Sequence, residues 1–342
     1  MFTALFPECA GGRAVKVGVV GGGVAGALLA LRLRREHGVA VEVFAGPPST
    51  ADASGASGGL VRGVESTPEA SRLASAALAE VRGSAELLEW SGYREIGSVH
   101  VRGPGAEPDT SAVDELLPGS AEVVGGAELA ARFGFRDAAD AVAVVERHAG
   151  YLSPDRLRAR ALGWLADHGA QVRPVLATTV APGLVTVAGA EHRFDAVVVA
   201  AGAWTGRLVG AEGWRTKQIQ YGVYRVRLPG LGVLVDDVTG LYGRPWGDGT
   251  FLLGLGCDRW GVDPDRVEPD RASAALVVDR VRERFGATAV PERVVASFDG
   301  YGPDPGLRLR GSDGLFTFAG GSGGAAKTVV AASRLAAAAL VG

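Results

Sequence analysis

Residues 15–44, VKVGVVGGGVAGALLALRLRREHGVAVEVF, decide the fold. Residues 15–20 are short, β-branched and stopped by glycines, which predicts a buried strand. Residues 25–37 are apolar early, charged late and end before Gly38, which predicts a helix. Residues 39–44 repeat the strand pattern. Strand, glycine turn, helix and strand in about 30 residues is the size of one βαβ unit. The turn reads Gly21-Gly22-Gly23-Val24-Ala25-Gly26. Gly21 permits the tight turn, Gly23 lets the backbone approach a pyrophosphate, and Gly26 lets helix and strand pack closely. The helix N-terminus adds unpaired N–H groups and a positive dipole end. With 52 glycines in the chain the spacing alone is weak. Its place after a strand and before a helix points to a bound dinucleotide.

One part of that motif is missing. The second strand should end in an acid that binds a ribose hydroxyl, yet it ends Val43-Phe44-Ala45. Either Glu42, inside the strand, takes the role, or the ribose is held otherwise.

Working outward, residues 46–59 are a Ser/Ala/Gly-rich loop suited to contact a ligand. Residues 68–91 read as a helix with Leu73, Leu78, Leu87, Leu88 and Trp90 on its buried face. Residues 95–103 read as a strand and 109–135 as a mixed, more polar stretch. A helix is predicted over 154–168, with Pro154 near its start. Strands follow at 171–176, 178–187 and 192–200, the last a continuous apolar run ending in Ala-Gly. Residues 215–256 have antiparallel-sheet texture, broken by Gly and Pro. Helix returns at 270–286, then a strand at 314–319, the loop GGSGG and a final helix at 325–340. The fold class is α/β: a Rossmann-like nucleotide-binding domain from 15–85, 145–214 and 300–342, interrupted by a second, mainly antiparallel-sheet substrate domain from 86–144 and 215–299.

The chain of 342 residues carries a net charge of −3, which offers no basic field to a nucleic acid or a membrane. Lysine is confined to Lys16, Lys217 and Lys327, so each draws interest. Cys9 and Cys257 have no metal-ligand or CxxC spacing and read as reduced thiols of a cytoplasmic protein. Residues 1–14 lack the layout of a secretory signal and read as a loose extension. No apolar window is long enough for a transmembrane helix. The five histidines form no metal-ligand cluster and read as surface residues, and no GxSxG elbow is present.

Four segments in order resemble the D-amino-acid oxidase superfamily of FAD-dependent oxidoreductases, near its glycine oxidase and sarcosine oxidase branch. They are VGVVGGGVAGALLALRL from residue 17, ASGASGGLVRG at 53–63, FDAVVVAAGAWTGRL at 194–208 and GLFTFAGGSGGAAKTVVAASRLAAAAL at 314–340. The resemblance implies bound FAD and places Gly21, Gly23, Val24, Ala25, Gly26, Ser57, Gly58, Gly59, Leu60, Ala201, Gly202, Trp204 and the run Gly321, Ser322, Gly323, Gly324, Ala325, Ala326 and Lys327 around it. It implies amine oxidation: a hydride leaves the substrate α-carbon for flavin N5, the imine is hydrolysed, and O2 reoxidises the flavin to give H2O2. Catalysis is then the cofactor's, with no protein nucleophile, and the protein positions the α-carbon and excludes water. The substrate that the resemblance implies is an amino acid or an N-substituted glycine-type secondary amine.

The same resemblance nominates substrate-binding residues. Lys327 matches a lysine that meets the substrate carboxylate. A cation opening a helix is unfavourable to its dipole, so an anionic partner is expected; a lysine snorkelling to the surface is the plainer alternative. Tyr242, in Tyr-Gly-Arg-Pro, matches a tyrosine bordering the substrate, against an ordinary edge-packed sheet tyrosine. Arg62 could pair bidentately with a carboxylate, against a solvated loop arginine; Arg244 is a similar, weaker candidate. Two departures stand out. Where glycine oxidases carry Arg-Pro, this chain has Asp299-Gly300, so Asp299 suits an extra amino group or hydroxyl instead of a carboxylate. The oxygen-activating lysine of sarcosine oxidases falls near Leu252 and their flavin-linking cysteine near Ser297, so FAD should be noncovalent and a dehydrogenase stays open. The alternatives are an NAD(P)H-using flavin monooxygenase and a non-enzymatic dinucleotide-binding protein.

Overall fold

The computed structural model of the chain describes residues 15–47, 52–210 and 212–342. The loose extension expected at 1–14, with Cys9, lies outside the described residues, as do positions 48–51 of the small-residue loop and the side chain of Ser322. β1 (Lys16–Val20), α1 (Val24–His37) and β2 (Ala40–Phe44) each match the expected bounds within one residue. α1 stops at Gly38, whose φ of 66° is left-handed, the usual glycine helix end. β3 (Leu60–Val61) follows the loop. The single helix expected at 68–91 is two, α2 (Pro68–Gly83) and α3 (Ala85–Ser91). Ser84 between them is extended, and its hydroxyl accepts from the Leu87 amide at 3.2 Å. A serine cap thus restarts the helix, while the apolar spacing runs on across the break.

β4 (Arg94–Glu95), β5 (Ser98–Arg102), α4 (Ser111–Leu116), β6 (Ala121–Gly125), α5 (Gly126–Phe133), β7 (Val142–Glu146) and β8 (Gly150–Tyr151) come next. α6 (Pro154–Asp167) starts at a Ser153 cap, and β9 (Gln171–Arg173) follows it. The strands expected at 178–187 and 192–200 are a meander, β10 (Thr179–Ala181), β11 (Leu184–Val187) and β12 (Ala190–Arg193), then β13 (Ala196–Val199). Between β12 and β13, Asp195 accepts from the Lys16 amide at 2.8 Å. The chain continues through α7 (Thr205–Val209), β14 (Arg215–Arg225), β15 (Val233–Asp236), β16 (Leu241–Gly247), β17 (Thr250–Leu255), α8 (Arg271–Phe285), β18 (Val290–Tyr301), β19 (Arg308–Ser312), β20 (Leu315–Ala319) and α9 (Ala325–Val341). β18 escaped the sequence reading. It opens Val-Pro-Glu-Arg with no clean alternation, and its place at a sheet edge is what tolerates Pro291.

Two large sheets result. The first has the order β19-β20-β13-β1-β2-β9 and is parallel except for β19. Helices α1, α2, α6 and α9 cover one face and the β10–β12 meander covers the other. Val17, Val19 and Val198 face the helices, while Val20, Val197 and Val199 face the meander. Burial on both faces explains why these strands read as unbroken apolar runs. The second sheet has the order β18-β14-β17-β16-β15-β5-β7-β6 and is antiparallel apart from the β15–β5 pair. Its own core packs against α5 and α8. The fold is therefore α/β, with a Rossmann-like parallel sheet beside a mainly antiparallel one. β7 and β18 each run two residues past the boundaries expected at 144 and 299. Among the described residues no helix is long and apolar enough to cross a membrane.

Candidate functional site

The carboxyl ends of β1, β13 and β20 open on a cleft of about 1370 Å3 that reaches the second sheet. That is the crevice where open parallel sheets take ligands. It exceeds the roughly 300–1,000 Å3 of an ordinary small-molecule pocket. Four segments far apart in sequence line it: Gly21 to Ala25, Ser57 to Leu60 with Arg62, Ala201 to Trp204, and Gly321, Gly323 and Ala325 to Lys327. Gly26 and Gly324 are not in the wall. Gly26 acts from behind, where a Cβ would meet Gly21 O at 2.0 Å. Gly21 itself has φ +119°, and a Cβ there would lie 2.3 Å from Ala200 O. Gly23 faces open space, its nearest neighbour being Ser54 Oγ at 3.4 Å. The Ser54 hydroxyl also accepts from the Val24 amide at 3.0 Å. The other first-turn amides of α1 have no intrahelical acceptor.

Glu42 does not reach the cleft. It is 1 % exposed and bound by Lys16 at 2.9 Å, by Arg173 and by His192 at 3.3 Å. Burial would push its carboxyl up, but Lys16 and Arg173 hold it below the ordinary range. The ribose acid is therefore not Glu42. The wall beyond β2 is instead Phe44 to Pro47 with Leu176 and Ala177, and Asp52 sits in the wall paired with Arg158 at 2.6 Å.

The far end of the cleft is built by the second sheet. Lys217, Ile219 and Tyr221 of β14 point in, while Gln220 and Tyr224 turn to α8 and its approach, donating to Asp270 O at 2.6 Å and Ala274 O at 3.0 Å. The period of two separates the faces. Tyr242 lies over Gly254, where a Cβ would come within 2.5 Å of its ring, and donates to Gln220 O at 2.7 Å. Burial and the neighbouring Asp299 carboxyl push its phenol up. Asp299 lies in the cleft wall against Gly323, and burial raises its carboxyl to about 7 against the pull of Lys217.

A family model described as FAD dependent oxidoreductase matches residues 16–339. The chain belongs to that family. It is the family the four sequence segments resemble, and its cofactor is FAD. Solved structures share the fold. Glycine oxidase from Bacillus cereus ATCC 14579 is 18 % identical, with 95 % of this chain and 94 % of that one covered and a TM-score of 0.74. L-Proline dehydrogenase from P. horikoshii is 14 % identical, with 95 % and 92 % covered and a TM-score of 0.78. NikD, an unusual amino acid oxidase essential for nikkomycin biosynthesis, is 21 % identical, with 96 % and 94 % covered and a TM-score of 0.73. No curated protein matches this flavoenzyme in sequence.

The residues present fit FAD. The glycine turn leaves a cradle at Gly23 that a side chain would fill, and the cleft continues from it to the Ser57–Leu60 loop and the 320–324 turn. These segments would hold the pyrophosphate and the ring system respectively. The loop is pinned from two sides. Arg244 donates from Nε to Gly58 O at 2.8 Å while its guanidinium covers the Tyr151 ring. Glu146 accepts from the Gly63 amide at 2.7 Å and the Val64 amide at 3.0 Å. Arg244, expected as a weak substrate candidate, thus serves the loop, and Leu252 packs against Gly58 behind it.

Lys327 and Arg62 converge on Glu65. Lys327 donates to it at 2.6 Å and Arg62 lies 3.2 Å away. The anionic partner expected for Lys327 is therefore in the chain itself. Burial and Arg62 lower the lysine to about 8, and Arg62 with Lys327 hold Glu65 below its ordinary value in spite of burial. His100 corrects the surface reading of the histidines. It is 3 % exposed, 3.0 Å from Asp237, and burial lowers its pKa. The sequence reading gave no role to Glu65, Glu146 or Lys217, and named Ser54 only as part of the small-residue loop. Of the first three, Lys217 alone carried a signal, its rarity as a lysine.

Proposed function

We propose that this flavoenzyme oxidises the C–N bond of an amino acid or an N-substituted glycine-type secondary amine. The observation that carries the reading is the continuity of the cleft: one space runs from the glycine turn past the loop at 57–60 to a sheet face bearing Tyr221, Tyr242, Lys217 and Asp299. Bound FAD, held noncovalently because position 297 is serine, supplies the two-electron acceptor, with O2 as final oxidant and H2O2 as product. The protein binds the substrate against the β14–β16 face, orients its α-carbon and shields it from water. In this reading Tyr242 and Asp299 border the substrate. Lys327 and Arg62, both paired with Glu65, order the loop beside it. Glycine oxidases, a proline dehydrogenase and an amino acid oxidase among the fold neighbours support the substrate class. The test is the anaerobic spectrum of the FAD-loaded protein with D- and L-amino acids, sarcosine and N-alkylglycines. Flavin bleaching by one of them, then peroxide on admitting air, is the expected result. Bleaching by NAD(P)H and by none of the amines would overturn it.

A further inference from the structure

Nine charged residues line the cleft among the described residues: Asp52, Arg62, Asp155, Arg158, Arg207, Lys217, Asp265, Asp299 and Lys327. Seven are engaged in ion pairs inside the protein. Arg158 pairs with Asp52 and Asp155, Arg207 with Asp265, and Arg62 and Lys327 with Glu65. The two left are Lys217 and Asp299. They face each other across β14 and β18 in register, and they do not close an ion pair. The Lys217 ammonium rests 4.8 Å from the centre of the Trp260 ring. Tyr242 gives its proton to Gln220 O, so it does not donate to Asp299. A nearly buried carboxyl and a cation thus stand on neighbouring strands in the wall of one cleft. Cross-strand neighbours have Cβ atoms about 4.5–5.5 Å apart. The two therefore present opposite charges to one end of the same cleft, as recognition of a small zwitterion would require.

We propose that Lys217 and Asp299 read the two ends of an α-amino-acid zwitterion, Lys217 pairing with its carboxylate and Asp299 taking the proton from its ammonium. The proposal rests on the amine-oxidising reading of the cleft and names its substrate class and proton acceptor. The step balances: an N–H bond of the ammonium breaks, an O–H bond forms on Asp299, and the electron pair stays on nitrogen. The amine is then neutral, as loss of hydride from the α-carbon requires. A carboxyl poised near 7 suits a base working at neutral pH. The titratable groups around Asp299 are Lys217 on β14 and Tyr242 on β16, the latter coupled in turn to Tyr221 and Cys257. The turns at 202–204 and 322–324 contribute none.

The FAD-loaded protein and its D299N, K217M and K217R variants test this, with flavin content as the check on folding. For wild type, the pH profile of anaerobic flavin reduction should show an acid limb near 7 that stays put among substrates of different amine basicity. In D299N the limb should move to the substrate's own amine ionisation and follow it from one substrate to the next. K217M should raise the substrate dissociation constant at least about tenfold, and K217R should restore much of it. Binding without turnover separates this idea from the oxidase reading. Propanoate and propylamine are titrated against the flavin absorption bands. K217M should weaken propanoate alone and D299N propylamine alone. Equal affinities in variants and wild type, or a D299N limb unmoved from 7, would overturn the pair. The selective binding losses, with no amine able to bleach the flavin, would overturn the oxidase reading and leave the pair standing.

Discussion

Gly23 and Gly26 stand three residues apart in one turn, and alanine at each should fail in a different way. At Gly26 a methyl would lie 2.0 Å from Gly21 O and 3.2 Å from the Ala200 methyl. Both neighbours are fixed by β1 and β13, so α1 must lift off the sheet. Overpacking of this kind costs about 1–3 kcal/mol or more, and the better helix propensity of alanine returns at most about 1 kcal/mol. The apoprotein should therefore lose about 2 kcal/mol and melt a few degrees lower. At Gly23 the nearest atom is 3.4 Å away and φ is −65°, so alanine fits the empty protein without strain. Its methyl occupies the space through which a pyrophosphate approaches the amides of α1. Losing one or two charge-assisted hydrogen bonds corresponds to a ten- to hundredfold weaker FAD, roughly. Differential scanning fluorimetry of both apoproteins and FAD titration by fluorescence quenching give the two numbers. A Gly23→Ala protein with wild-type FAD affinity would mean the turn is not the phosphate cradle. A Gly26→Ala apoprotein that melts like wild type would refute the packing argument.

Three other outcomes are expected. Arg284 lies 2.8 Å from Asp236 with both buried, and it also donates to the carbonyls of Arg136 and Asp137. Arg284→Met leaves that acid unpaired and should cost about 3–5 kcal/mol in urea unfolding. Arg244→Met removes the hydrogen bond to Gly58 O, and FAD should dissociate about tenfold faster by stopped-flow. Asp299 is raised from 3.8 to about 7, so the protonated form is favoured by folding. Its contribution to stability is full below pH 4 and lost as pH rises through 7, a change of at most about 4 kcal/mol. The apoprotein's melting temperature should carry that falling component, and Asp299→Asn should remove it.

The βαβ unit was legible because its signals are local. The glycine turn, the fading of apolar residues toward Gly38 and the β-branched strands each depend on neighbours within one turn or one strand. The four segments that line the cleft were legible for the same reason: a backbone that leaves room beside it demands small residues, and runs of glycine and serine stand out. The break at Ser84 was hidden, because apolar spacing continues through it. β18 was hidden by its edge position, which lifts the demand for alternation and admits Pro291.

Charge pairing was decided by the tertiary structure. Lys327 looked like a cation in want of an anion, and the structure supplies Glu65 from 262 positions away. Glu42 looked like a candidate for the ribose and is consumed by Lys16, Arg173 and His192. Asp299 and Lys217 sit 82 positions apart in the chain, yet strand register makes them neighbours. Local sequence determines which backbone conformations the chain adopts, since propensity, capping and periodicity act over a few residues. Which charges cancel and which are left facing the cleft depends on contacts between distant segments, and only the packed sheets fix those.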